Sequence, residues 1–176
     1  MKARAGILTT MVEMRSELLK EKDLGNDTAL HVAARHGASA PLVQLLLQAG
    51  SSALAVNALV QTPVHSAVIA DADGNVKCLI EKCSRAASLC DVNRNNALAL
   101  AILHQAGIES VTAILNGLDN LEGMLVLEQE NNEGRTPLTI AIVAHASWDI
   151  LEQMVIHKHA VLKASDVLIA IEKGLR

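Results

Sequence analysis

Thr28-Ala-Leu-His-Val-Ala-Ala-Arg-His-Gly37 decides the fold of this chain. It opens with a residue fit to cap a helix and ends on a glycine, with apolar side chains two, five and six positions past its start. Its opening Thr28-Ala29-Leu30-His31 returns as Thr62-Pro63-Val64-His65 and as Asn96-Ala97-Leu98-Ala99, at two successive intervals of 34 residues. A fourth copy, Thr136-Pro137-Leu138-Thr139, follows after 40, and a fifth start, Ser165-Asp166-Val167-Leu168, after 29. Self-similarity at such a period is the mark of stacked repeats, in which each unit buries its apolar face against its neighbours.

Each position of the unit has a physical task. Thr28, Thr62, Asn96, Thr136 and Ser165 offer a side-chain oxygen to the free amides of a helix start. Pro63 and Pro137 fall at the first helical position, where a missing N–H costs nothing. Ala33, Ala67, Ala101, Ala141 and Ala170 stand five past the start, between larger apolar neighbours, and let the helices stack closely. Gly37 and Gly174 suit helix ends. A second apolar helix is expected in each unit: Leu42 to Gln48, Val76 to Lys82, Val111 to Leu115, and Ile150 to Ile156. Asp23, Asn57, Asp91 and Asn131, five residues before the caps, can turn the chain by bonding their own backbone.

These motifs resemble the ankyrin repeat, whose Thr-Pro-Leu-His-x-Ala signature recurs in units of about 33 residues. The resemblance runs from Asp23 to Arg176 and is most specific at 28–37 and at Asn131-Asn-Glu-Gly-Arg-Thr-Pro-Leu138. It implies an all-α solenoid of stacked antiparallel helix pairs joined by turn or β-hairpin fingers. Four repeats are expected, at 23–56, 57–90, 91–130 and 131–164. Residues 1–22 should supply a capping helix, centred on Ile7 to Glu21, and 165–176 a partial fifth repeat or C-terminal cap. Val60 and Arg94 replace the turn glycine usual in the family, so those two turns are expected to be distorted or filled differently. Gly117 to Glu130 is about six residues longer than the period requires, predicting a longer finger or an extra helical turn.

Composition bounds the function. The chain of 176 residues is 51% hydrophobic yet only 1% aromatic, so Leu, Val, Ile and Ala must form the core. A formal charge of −4 and the lack of a Lys/Arg stripe argue against nucleic acid. Apolar runs such as Leu162 to Ile171 are broken well before the about 20 residues of a membrane span, and no export signal opens the chain. Cys78, Cys83 and Cys90, odd in number and set in apolar segments, read as reduced thiols of a cytoplasmic or nuclear protein. The chain is expected to be monomeric when alone.

No cofactor and no metal are expected, since Cys and His lack paired ligand spacing and His157 with His159 is a lone pair. No nucleophile elbow, zinc-protease helix or phosphate loop occurs, so the chain reads as a non-enzyme. Asp73-Gly74 reads as a turn. The resemblance implies that His31 and His65 are buried imidazoles tying repeats together. Trp148, between the two helices of repeat 4, is expected to pack partly against the next layer, with a partner contact as the alternative.

Ankyrin-like arrays hold a partner protein along the fingers and the exposed ends of the first helices. Matched position by position, that face comprises Leu24, Asp27, Leu59, Gln61, Asn93, Asn95, Glu133 and Arg135 from the fingers. Arg35, His36, Ile69, Leu103, His104 and Val143 come from the helices, beside Ala70 and Ala144. Leu59, Ile69 and Leu103 make its middle apolar, with Arg35 and Arg135 toward the ends. The chain therefore reads as a protein-binding module. A narrower expectation, from array size, the insertion and the Glu133-Gly-Arg-Thr-Pro-Leu138 stretch, is likeness to the inhibitor-of-NF-κB branch, which sequesters a transcription factor. A rival is a structural or targeting segment of a larger channel, enzyme or bacterial effector.

Overall fold

A computed structural model describes residues 16–36, 40–118, 125–157 and 164–172. The first helices of the repeats are α1 (Ala29–Arg35), α3 (Pro63–Ile69), α5 (Ala97–Leu103) and α7 (Pro137–Val143). Each is followed by a partner: α2 (Ala40–Gln48), α4 (Asp73–Lys82), α6 (Ile108–Gly117) and α8 (Trp148–Glu152), the last running into a π-helical turn at Gln153–His157. A final helix, α9 (Ala164–Glu172), stands after the fourth pair. First helices pack on first helices along the chain, and second helices on second helices through α8, giving two layers of a solenoid.

The core follows the repeat register. Leu30, Val64, Leu98 and Leu138, two past each cap, are buried, as are Ala33, Ala67, Ala101 and Ala141 in the next turn. Each such Leu adds about 1.5–3 kcal/mol, while the alanines set how closely the layers approach. At Asn96 and Thr136 the side-chain oxygen accepts the N–H three residues on. Thr28 and Thr62 instead build a reciprocal cap with His31 and His65. Pro63 and Pro137 open their helices as expected. Three first helices close identically: Asp71, Gln105 and His145 turn left-handed, and Ala72, Ala106 and Ala146 donate to carbonyls five residues back.

Several expectations are corrected. Of the two finger forms expected, turn or β-hairpin, the turn is the one found, with one antiparallel bridge, Cys90 to Asn96, among the described residues. Asp73 and Gly74 begin α4 instead of forming a turn. The fifth helix starts at Ala164, so Ser165 lies inside it rather than capping it. Residues 125–128 are helical, so an extra helical turn occupies the described part of the insertion. The capping helix of Ile7 to Glu21 falls largely outside the described residues; Ser16–Leu19 form a 3-10 turn whose Leu19 joins the core. Gly37, Gly174 and His159 also lie outside.

Candidate partner-binding surface

Four fingers share one construction. The Oδ1 of Asp23, Asn57, Asp91 or Asn131 accepts two backbone N–H groups, from the residues two and four further on, at 2.8–3.0 Å. The same four residues each donate their N–H to the carbonyl of Asp27, Gln61, Asn95 or Arg135 and close the loop. A positive φ completes every turn, at Asn26 (59°), Val60 (59°), Arg94 (61°) and Gly134 (70°). The turns at Val60 and Arg94 are thus undistorted: both residues accept the left-handed conformation that Gly134 adopts freely.

Adjacent fingers are tied by main chain. Ala58 N–H donates to Gly25 O, Val92 N–H to Leu59 O, and Asn132 N–H to Asn93 O, at 2.9–3.0 Å. Side chains add to this, Asn57 Nδ2 donating to Asp27 Oδ1 and Asn131 Nδ2 to Asn95 Oδ1.

Beneath the fingers, His31 Nδ1 accepts the Thr28 N–H at 3.2 Å, which leaves its Nε2–H to donate to Gln61 O at 2.9 Å across the repeat boundary. His65 Nδ1 accepts likewise from Thr62 at 3.0 Å. Its Nε2 completes no hydrogen bond among the described residues. Burial pushes the His65 imidazole down to about 4, against smaller opposing pulls from Asp91 and the Leu89 and Asn95 backbones. Burial lowers His31 as well. Both rings are therefore neutral near pH 7; His31 ties its repeat to the next, as the resemblance implied, whereas His65 bonds the Thr62 cap of its own repeat. Repeat 3, lacking that histidine, uses Asn96, whose Nδ2 donates to Val126 O at 2.8 Å and Gln129 Oε1 at 3.1 Å. Repeat 4 uses Thr139, whose hydroxyl donates to Asp166 on α9.

The anticipated surface residues divide. Leu24 is fully exposed, Leu59 is 54% and Leu103 46% exposed, and Arg35, His36, Asn93, His104, Glu133 and Arg135 face solvent. Gln61 and Val143 are half-buried, and Ile69 is half-buried against the core. Asp27 and Asn95 are buried and spent within the array, Asp27 on Arg35 and Asn57, Asn95 on Asn131. Glu133 and Arg135 pair with each other at 2.6 Å. Val60 and Val92, not singled out from the sequence, are exposed beside Leu59. Their signal was available, since they occupy the tip positions of fingers 2 and 3. Trp148 is 70% exposed rather than packed.

Among the described residues no three His, Cys, Asp or Glu side chains gather where they could hold a metal. All three thiols are free, and burial pushes those of Cys78 and Cys90 up. Among the described residues no helix is long and apolar enough to cross a membrane.

The family model for ankyrin repeats, three copies, matches residues 30–123. The chain is similar to the neurogenic locus notch homolog protein 1 of Xenopus tropicalis, 28% identical over 79% of this chain and 6% of the relative. It is also similar to a transient receptor potential cation channel subfamily A member 1 homolog of Caenorhabditis elegans, 30% identical over 74% of this chain and 10% of the relative. Human neurogenic locus notch homolog protein 2 is 38% identical over 43% of the chain and 3% of that relative. The chain thus spans a tenth or less of the length of these relatives.

Proposed function

The chain belongs to the ankyrin-repeat family, and from that premise we propose that it is a non-catalytic module gripping a partner protein on its finger tips and the exposed ends of its first helices. Ankyrin repeats in general are protein-interaction modules. The observation that carries the choice of face is an apolar row, Leu24, Leu59, Val60 and Val92, on adjoining fingers, with Leu103 exposed at the end of α5. Apolar side chains grouped on a surface and rimmed by Arg35, Asn93, Glu133 and Arg135 suit a protein interface. Tight stacking fixes that surface before binding, so little ordering entropy opposes association.

The test is affinity purification with wild-type protein and with a Leu59→Asp, Leu103→Asp variant. Specific partners should be lost from the variant while circular dichroism and melting stay unchanged. Retention of the same partners by a folded variant rejects this face.

A second reading, that the repeats act inside a larger polypeptide, is favoured by the length of the relatives. Immunoblotting the native gene product measures its size directly. The inhibitor-of-NF-κB-like reading draws support from the inserted helical turn at 125–128; a pull-down with Rel-type dimers decides it.

A further inference from the structure

Every finger requires one left-handed residue, and the four fingers meet that requirement unequally. Asn26 and Gly134 are types that tolerate it, whereas fingers 2 and 3 use Val60 and Arg94. An L residue is strained there, a branched one most of all. Among the described residues neither side chain joins the core or an ion pair. Val60 is exposed and outside the core, and Arg94 is exposed and pairs with no acid among the described residues. Strain retained where glycine would serve, and spent on an outward side chain, is a functional signal.

The two positions are neighbours. The Val92 N–H to Leu59 O bond sets finger 3 against finger 2, so Leu59, Val60, Val92 and Arg94 occupy adjoining tips. Charge adds direction. Within the fingers and first helices of the four repeats, Lys and Arg occur only at Arg35, Arg94 and Arg135. Arg35 is bound to Asp27 and Arg135 to Glu133, so of these three Arg94 is the cation with no acid of its own among the described residues. Asp91, in the same turn, is buried and its Oδ1 already accepts from Asn93 and Asn95.

We propose that the tips of fingers 2 and 3 form a composite subsite for a partner segment that sets an Asp or Glu carboxylate beside apolar side chains. The apolar residues lie on Leu59, Val60 and Val92, and the carboxylate meets the Arg94 guanidinium, whose planar fork suits it. This rests on the finger-face reading above and adds the chemistry of what is held there.

The experiment pans a phage-displayed random dodecapeptide library against the full chain. Enriched peptides should carry Asp or Glu next to Leu, Ile, Val or Phe. Arg94→Glu should weaken their binding roughly tenfold, and changing the acidic residue of the peptide to Lys should restore it. Val60→Gly and Arg94→Gly should raise the melting temperature and yet weaken binding, which a merely structural role would not do. Peptides that need Leu59 but show no acidic preference and ignore Arg94→Glu overturn the subsite and leave the finger face standing. Peptides indifferent to Leu59→Asp, Val60→Gly and Arg94→Glu overturn both, and absence of enrichment over a target-free control overturns the subsite.

Discussion

A methyl group on the Cα of Gly117 in α6 would overlap the Cγ2 of Ile80 in α4. The second helices of repeats 2 and 3 can approach as they do only because Gly117 has no side chain. Gly117→Ala should therefore destabilise the array by about 1–3 kcal/mol, as overpacking does. Pairing it with Ile80→Ala, which opens the space, should make the two effects less than additive in urea denaturation.

Val60 poses the opposite case. Its φ of 59° is strained for a branched residue. Val60→Gly should raise stability by roughly 0.5–1 kcal/mol, the relief of strain outweighing the greater freedom of glycine in the unfolded chain. The shift in denaturation midpoint at constant slope is the readout.

Acid should loosen the stack through its histidines. His65, pushed down to about 4 by burial, is neutral in the folded array, whereas in the unfolded chain it takes a proton below about 6.5. Stability is thus full above that value and declines as pH falls toward 4. Between pH 7 and 5 the loss from His65 should be roughly 2 kcal/mol, and His31 shifts in the same direction. Denaturation at both pH values should show a smaller difference for His65→Gln than for wild type.

Asn75 is buried in α4, and its Nδ2 donates to Ala34 O at 3.2 Å and Ala33 O at 3.5 Å, at the end of α1. Asn75→Ala leaves those buried carbonyls without that donor and should cost about 1–3 kcal/mol. Chemical denaturation measures it. A loss below a few tenths would mean that water replaces the amide.

Much of this architecture was legible because its determinants are local. Thr28, Thr62, Asn96 and Thr136 cap helices within three residues of themselves, and Asp23, Asn57, Asp91 and Asn131 bond backbone within four. What escaped reading depends on partners one repeat away. Asp27 and Asn95 sit in exposed-looking turns, yet each is buried and accepts a hydrogen bond from an asparagine side chain of the next finger. Asn75 is likewise defined by the end of a helix about forty residues earlier, with no nearby pattern to announce it. Ile69, at the last position of α3, leans on the core instead of pointing outward. Of the residues expected on the outer face, Leu24, Leu59 and Leu103 are indeed exposed, whereas Asp27 and Asn95 are buried within the array.

The peptide-to-peptide relay from Gly25 through Leu59 to Asn93 uses no side-chain atom. It acts as a ruler: the pitch between tips is set by amide geometry, whatever residues project from them. Outward side chains such as Leu24, Leu59 and Val92 can accordingly be exchanged, as letters on a fixed line of type, and a new recognition message can be written without resetting the spacing.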